Sequence, residues 1–416
     1  MKQAFLFLFT VLLFYSCSSD ELVTPVANNV NSAPVSKYRS YDEALKIAES
    51  SIDMLEGSSS TRSTSYGRKI NSNEVKILTS NTTRSTNFEN DTLLYVFNFE
   101  DNQGFAVVAA PRTAEALIAV TEKGYYDPAL ETEVEGFNSY MSLAREYIAS
   151  SESQLRTKVI NIDPRIEQID TIFYTHVYYG PYLNTQWGQN LPEGELCPNG
   201  IAGCSITAMA QVMSYYEYPT TIVLTYEGAD ISQQVLSWTD MKTHATGHAV
   251  SNCTTVDTHM SISRLCRQLG QLANSDYSNP NATSTTTSNV KSTIELLGYQ
   301  TMGWAEYPYL SGSLRTALQN GKIALMRGTS TAGGHMWVLD GYSITTRYEE
   351  VWRRNFGLDF WWVYSSTSTT YESLHYNWGW NGYYNGYFSP FVYDATGNPD
   401  GSGNFSQNVQ AMIVYL

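Results

Sequence analysis

The sequence predicts an α+β protein made of two folded units, and three observations support this prediction. The chain has 416 residues, of which 42% are hydrophobic, so it is long enough to bury more than one core. Helical and strand-like patterns are mixed within residues 40–150. From about residue 166 the helical patterns come first and the strand-like patterns follow. The polar stretch 151–165 separates the two units and is an accessible site for proteolysis.

Residues 1–17 have the pattern of an export signal. Lys2 precedes an apolar stretch from Ala4 to Tyr15, which is too short to span a bilayer. Ser16 and Cys17 follow and resemble a lipoprotein processing site, after which Cys17 carries the lipid; the acidic stretch behind it resembles the export tag of Bacteroidetes surface lipoproteins. We therefore expect an exported protein, held at the outer membrane or cell surface through Cys17, or secreted after processing. A plain signal peptide is the alternative.

The first unit begins after a polar tether at residues 18–39. Ser40 is the expected N-cap of a helix from Tyr41 to Leu55, whose apolar residues recur at helical spacing, and Gly57 is the expected stop. Strand-like runs follow at 74–78, 92–99 and 104–109, with a further apolar stretch at 113–121 and a second helix at 137–148. These elements predict a compact α+β unit over residues 40–150.

The second unit, residues 166–416, has its helical patterns in front. A helix follows Cys204 and ends before Pro219, and two more are expected near residues 260–273 and 288–297. The strand-like runs lie behind them, at 323–327, 335–342, 348–352, 360–364, 374–378, 386–388 and 411–415.

Composition excludes some classes of function. The net charge of −15 argues against a nucleic-acid partner, because such proteins gain affinity by neutralising phosphates with Lys and Arg. The exported part holds four cysteines: Cys197, Cys204, Cys253 and Cys266. They could form two disulfides or remain as buried free thiols, and the sequence leaves both alternatives open. The chain contains no HExxH and no paired CxxC motif, so we expect no metal and no cofactor.

Cys204 is the first candidate for chemistry. It follows Gly203 and opens the run CSITAMAQVMSYY, whose apolar residues share one helical face. A thiol in the first turn of a helix faces the positive end of the helix dipole, which favours the thiolate. Taken alone, Cys204 fits a small buried core residue equally well.

Two downstream motifs favour the catalytic interpretation. His335 lies in GGHMWVLDGY, where two glycines permit close approach of the thiol and of a substrate backbone, so it is the candidate base. Asn377 and Trp378 lie in HYNWGWNGYYNGYF; the amide oxygen would accept from one imidazole nitrogen, and the indole would exclude water. His375 is a weaker alternative base, because no glycines flank it. A thiol, an imidazole and an amide in this order are the parts of a cysteine peptidase.

The motifs GCxxTAMAQVMxYYxYP, GGHxxVLDGY and NWGWxGxxNGYF resemble the streptopain family of papain-like cysteine peptidases. The resemblance covers about residues 166–416, and residues 40–150, with GFAVVAAP, resemble that family's inhibitory propeptide. It implies a papain-like catalytic domain with a helical part and an antiparallel sheet part. It also implies that Cys204 is the nucleophile and His335 the base, while Asn377 and Trp378 orient and shield the imidazole.

The resemblance adds a fifth residue, Gln189, as a donor to the oxyanion with the backbone N–H of Cys204. Gln186 is its rival, and Gln189 is preferred because Pro192 follows it at the family's spacing. One departure from the family pattern is Glu193-Gly194 after that proline. It puts substrate contacts of this loop in doubt.

The second departure is the aromatic stretch 345–372, which lengthens the connection between His335 and Asn377. It could form a lip of the cleft, contact a protein or a glycan, or simply pack on the sheet. We therefore expect an exported cysteine endopeptidase that acts on proteins or peptides, is made as a zymogen and is inhibited by its own propeptide. The alternatives are a cell-wall peptide amidase or transglutaminase of related fold, and a catalytically silent adhesin or inhibitor.

Overall fold

The computed structural model describes residues 36–57, 67–79, 92–152, 166–226, 229–243, 256–330, 333–355, 360–393 and 409–416. The export signal, most of the tether, Cys253 and linker residues 153–165 lie outside the described residues. No helix within these ranges is both long and apolar enough to cross a membrane.

The described residues form seven α-helices: α1 (Tyr41–Gly57), α2 (Glu135–Glu152), α3 (Cys204–Tyr216), α4 (Trp238–Thr243), α5 (Val256–Leu272), α6 (Thr287–Leu296) and α7 (Tyr307–Gln319). The N-cap prediction for α1 is confirmed. The Glu43 N–H donates to Ser40 Oγ at 3.3 Å and the Ser40 N–H donates to Glu43 Oε2 at 2.8 Å, which is a capping box.

The strands of the N-terminal unit are β1 (Ile70–Thr79), β2 (Thr92–Phe99), β3 (Phe105–Ala109) and β4 (Leu117–Thr121). Those of the C-terminal unit are β5 (Ile166–Tyr179), β6 (Thr221–Tyr226), β7 (Ala229–Val235), β8 (Gln300–Thr301), β9 (Ala305–Glu306), β10 (Ile323–Ser330), β11 (Gly333–Asn355), β12 (Trp362–Asn377), β13 (Gly386–Phe388) and β14 (Gln410–Tyr415). The sequence prediction lacked α4, α7 and β5 to β9, and it split β11 and β12 into two strands each.

One sheet runs through both units. Its order is β1-β2-β3-β4-β13-β12-β11-β10-β14-β8, with β5 added to β11 and β9 to β14. The two units join where β4 pairs antiparallel with β13, with Ala119 opposite Phe388 and Thr121 opposite Gly386. A side chain at Gly386 would collide with the carbonyl oxygen of Val120, so the close approach of the two strands requires glycine there.

The sheet has helices on both faces. Helices α2 and α7 lie on one face, where Phe137 and Tyr140 of the N-terminal unit pack in the same core as Trp337 and Phe388 of the C-terminal unit. Helices α3, α5 and α6 lie on the other face. Strands β2 and β3 are buried along their whole length between α1 and α2, which explains why they are continuous apolar runs.

Residues 345–355 and 362–372 of the aromatic stretch form the outer parts of β11 and β12, which with β5 make a three-stranded arm. Arg353 lies over the ring of Tyr364 at 3.3 Å, and Arg354 lies over Trp361 at 4.7 Å. His335 and Arg353 are 18 residues apart on β11, which corresponds to about 60 Å of strand. None of the described residues of 345–372 lines the cavity at His335.

Candidate active site

Cys204 is the first residue of α3 and lies at the mouth of a cleft. Gly203 precedes it with φ = +89°, and a side chain there would lie 2.8 Å from the carbonyl oxygen of Thr283. Both the conformation and the close contact require glycine. Residues 205–214 of α3 are all buried, whereas Cys204 is partly exposed. The fold thus fixes a thiol at the positive end of a rigid, buried helix.

His335 lies near the start of β11, buried, opposite Gly328 of β10. Its imidazole is hydrogen-bonded to the Cys204 thiol, and its Nε2 lies 2.9 Å from the backbone oxygen of Trp378. A carbonyl oxygen only accepts, so Nε2 carries the proton and donates it to that oxygen. The other nitrogen, Nδ1, is then free to take the thiol proton.

The two groups shift each other's pKa. Burial disfavours the thiolate, but the hydrogen bond and charge of His335 outweigh burial and lower the pKa of Cys204 below its ordinary value. Burial likewise disfavours the imidazolium, but contact with Cys204 and the Trp378 carbonyl raises the pKa of His335. Both shifts favour a thiolate–imidazolium pair.

Asn377 does not contact the imidazole as the sequence analysis expected, and this is a correction. Its Oδ1 accepts from Gln211 Nε2 and from the Gly379 N–H, both at 3.1 Å, and its Nδ2 donates to the Thr185 oxygen at 2.9 Å. The side chain points towards α3, where Gln211 lies, so the backbone of the next residue reaches His335 instead. Asn377 holds the chain that presents that carbonyl.

Trp378 contacts the imidazole through its backbone and covers it with its ring. The indole is fully buried, and its centroid lies 6.3 Å from that of His335 at an angle of 37°. Trp337 packs against Trp378 at 5.0 Å. This aromatic pair separates the imidazole from bulk water.

Gln189 lines the cleft with Cys204 and His335, and Gln186 does not. Gln186 packs against Gly382, where a side chain would come within 2.6 Å of its amide oxygen. The Gln189 backbone is held in place because its oxygen accepts from the Ala202 N–H at 2.7 Å. The loop is further fixed through Gly188, whose oxygen accepts from Thr207 Oγ1 at 2.8 Å.

Two residues that the sequence analysis had considered lie away from the substrate side of the cleft. His375 is buried with Nδ1 2.6 Å from Asp340 Oδ1 and Nε2 3.4 Å from Glu122 Oε1, so it serves as an ion-pair residue at the junction of the two units. Glu193 is buried and accepts from the Gly188 N–H at 3.0 Å, and burial raises its pKa to about 7. Glu193 therefore stabilises the loop that carries Gln189.

The N-terminal unit reaches into this site through Gly136, a contact that the sequence analysis did not identify. Gly136, at the start of α2, lies so close to His335 and Trp378 that a side chain there would be 2.7 Å from Trp378 Cε3 and even closer to His335. Glu133 and Glu135 line the cleft beside Cys204. The cleft has a volume of about 680 Å³. The start of α2 thus closes one side of it.

The pKa shifts predict how Cys204 reacts with a small alkylating reagent. We expect alkylation of Cys204 to persist at pH values below those of an ordinary thiol, because its pKa is lowered by His335. In His335→Ala the Cys204 thiol is still buried but has lost the imidazole that stabilises its thiolate. The curve of Cys204 labelling against pH should therefore move to higher pH. Peptide mass spectrometry measures labelling at Cys204 separately from Cys266, whose pKa is raised by burial. Coincident curves for the two proteins would contradict the coupling.

The hydrogen bonds of Asn377 predict a loss of stability on its removal. Asn377→Ala leaves three buried partners unsatisfied on Gln211, Gly379 and Thr185, so we expect the free energy of unfolding to fall by at least about 1–3 kcal/mol. Urea unfolding of the full-length protein measures this. Asn190→Ala is the matched control because its side chain is exposed. Equal losses in both variants would show that the Asn377 bonds contribute nothing specific.

Known proteins resemble this chain in sequence and in fold. The curated relatives include streptopain of Streptococcus pyogenes serotype M1, 23% identical over 351 residues, and streptopain of serotype M18 (strain MGAS8232), 24% identical; each match covers 77% of this chain and 80% of the relative. A solved fragment of Prevotella intermedia prointerpain A matches with a TM-score of 0.52 at 22% identity, covering 82% of this chain and 98% of that one. This last match confirms the α+β fold with its N-terminal unit.

Two family descriptions match the chain. "Spi protease inhibitor" matches residues 32–148, which include α1, α2 and the first four strands. "Peptidase C10 family" matches residues 181–388, which include Cys204, His335 and the segment of Trp378. The second match spans half of this chain, so the chain belongs to the peptidase C10 family.

Proposed function

We propose that this protein is a cysteine endopeptidase made as a zymogen, with Cys204 as nucleophile and His335 as general base. The observation that carries the proposal is the coupled pair itself. The thiol lies at the N-terminus of α3, hydrogen-bonded to an imidazole whose other nitrogen is tied to the Trp378 carbonyl. The same pattern activates nucleophilic cysteines in general.

In the proposed reaction the Cys204 thiolate attacks the carbonyl carbon of the peptide bond. The resulting oxyanion receives hydrogen bonds from the Cys204 backbone N–H and from the side-chain amide of Gln189. His335 gives its proton to the leaving amine, and the acyl-enzyme forms on Cys204. His335 then takes a proton from water, which hydrolyses the acyl-enzyme. Removing one oxyanion donor typically lowers the rate by about 10²- to 10³-fold.

Trp378 and Asn377 act by positioning in this proposal. The Trp378 carbonyl fixes the tautomer of His335, and its indole keeps the imidazole out of water. Asn377 acts one step further away, because its amide fixes the turn that carries this carbonyl.

The N-terminal unit is proposed to inhibit by covering the cleft. It comprises residues 40–150, and the start of its α2 lies against His335 and Trp378 through Gly136. Its β4 extends the catalytic sheet, and Glu122 faces His375 across the junction. Cleavage within residues 151–165 would release the mature domain, residues 166–416.

The proposal includes export and anchoring, which rest on the sequence. Residues 1–17 are proposed as a lipoprotein-type signal with the lipid on Cys17, and residues 18–39 as the tether to the outer membrane or cell surface. Release of the mature domain by cleavage at 151–165 would also detach it from the lipid.

Loss of the thiol should abolish activity. We expect Cys204→Ala to remove casein hydrolysis and labelling by a thiol-directed peptidase inhibitor, since no other group forms the acyl-enzyme. Cys266→Ala is the matched control, because this thiol is buried in the core of α5, and it should retain both. N-terminal sequencing of the matured protein during the assay locates the cut. Residual hydrolysis by Cys204→Ala, or cleavage of peptidoglycan stem peptides without casein, would overturn the proposal.

A single methyl group should loosen the inhibitory unit. Gly136→Ala places a carbon against His335 and Trp378, and overpacking of this kind costs about 1–3 kcal/mol. We expect Cys204 in the full-length protein to react about tenfold or more faster with a peptide-based thiol probe. Gly67→Ala is the control, because its site has open space in the same unit. Identical initial rates in both variants, before any processing seen by mass spectrometry, would refute inhibition through Gly136.

A further inference from the structure

Arg327 occupies a position in the cleft that the catalytic steps do not use. It lies on β10 opposite Met336, the residue after His335. Alternate residues of a strand share a face, so Arg327 shares the face of Leu325, which packs in the core with α3. It lines the same cavity as Cys204, Gln189 and His335.

The charges of the cleft divide between the two units. Both lining carboxylates, Glu133 and Glu135, belong to the N-terminal unit and leave with it. Among the lining residues that the structure describes, Arg327 is then the one permanently charged side chain. Apart from Cys204 and His335, the other lining side chains are neutral.

The Arg327 guanidinium has N–H donors that form no hydrogen bond. Its Nη1 donates to Thr287 Oγ1 at 3.2 Å, while its Nε is buried and has no hydrogen-bond partner. No carboxylate within the described part of the chain forms an ion pair with it. By contrast, Arg112 and Arg315 hold carboxylates at 2.6 and 2.7 Å. A guanidinium has five N–H donors and matches a carboxylate in a bidentate manner.

We propose that Arg327 forms a substrate subsite that binds a carboxylate, the side chain of an Asp or Glu in the peptide being cleaved. This inference rests on the proposed function of Cys204 and adds a substrate class to it. The guanidinium Nη donors that Thr287 leaves unused take the two carboxylate oxygens, and Thr287 holds the guanidinium in place. A side chain is favoured over a chain terminus because an endopeptidase binds substrate residues on both sides of the cleaved bond, and residues 281–285 line the same cavity as Arg327.

The proposed subsite also gives Glu133 and Glu135 an inhibitory role in the zymogen. They place two negative charges in the cleft that holds Arg327, so an acidic peptide meets repulsion until the N-terminal unit leaves. Maturation then changes the lining from net negative to net positive.

The test uses the matured enzyme and matched peptides that differ by Glu against Gln at each position on either side of the cleaved bond. At one position we expect kcat/KM for the Glu peptide to exceed that for the Gln peptide by about tenfold, because a hydrogen bond to a charged group contributes that much. Arg327→Gln should bring this ratio to about one, and Arg327→Lys should keep part of it. Arg315→Gln, which removes a surface ion pair away from the cleft, should leave the ratio unchanged.

The outcomes separate the two proposals. Labelling of Cys204 by a small thiol reagent while the buried Cys266 stays unlabelled shows that each variant is folded. If Gln peptides are cleaved but the ratio is near one at every position, or survives in Arg327→Gln, the subsite is refuted while the peptidase stands. If no peptide is cleaved and the inhibitor does not label Cys204, the peptidase itself fails. A further comparison uses peptides that end in a free C-terminal carboxylate or in its amide. If Arg327→Gln lowers kcat/KM only for the peptide with the free carboxylate, the side-chain assignment is overturned and the site binds a chain terminus.

Discussion

The pairing of the short strand β13 with β12 on one side and β4 on the other is the contact on which the rest of the structure depends. It makes one sheet out of two units, with Phe388 opposite both Leu374 and Ala119. Helix α2 packs on this sheet, so its first turn lies over His335. Inhibition and catalysis therefore share one rigid framework, and the N-terminal unit can leave only by breaking these hydrogen bonds.

The site itself depends on main-chain geometry as much as on side chains. The imidazole is oriented by a backbone oxygen, that of Trp378, and the turn bearing it is fixed by the Asn377 amide. The loop that carries Gln189 is held likewise, because the Gly188 N–H donates to the buried Glu193. A substitution in either support changes the position of a catalytic atom without touching substrate.

Sequence patterns predicted the helix at Cys204, the strand at His335 and the N-cap at Ser40, because periodicity and capping are local properties. They failed for β12, where a Ser- and Thr-rich run resembled a break between strands although pairing with β11 carries it through. The contact of Asn377 could not be predicted, because it depends on where α3 crosses the strand end. Nor could Gly136, whose partners are distant in the chain.

The long arm has a consequence for how the enzyme is activated. Its strand β5 begins at Ile166, directly after the linker, and pairs there with Asn355 at the far end of β11. The described residues that flank the linker are Glu152, about 24 Å of helix from Gly136, and Ile166, some 66 Å along the strand from His335. Both of these flanking residues therefore lie far along their elements from the cleft of the same molecule. This geometry favours a cut made by a second, already active molecule, so activation would accelerate as product accumulates.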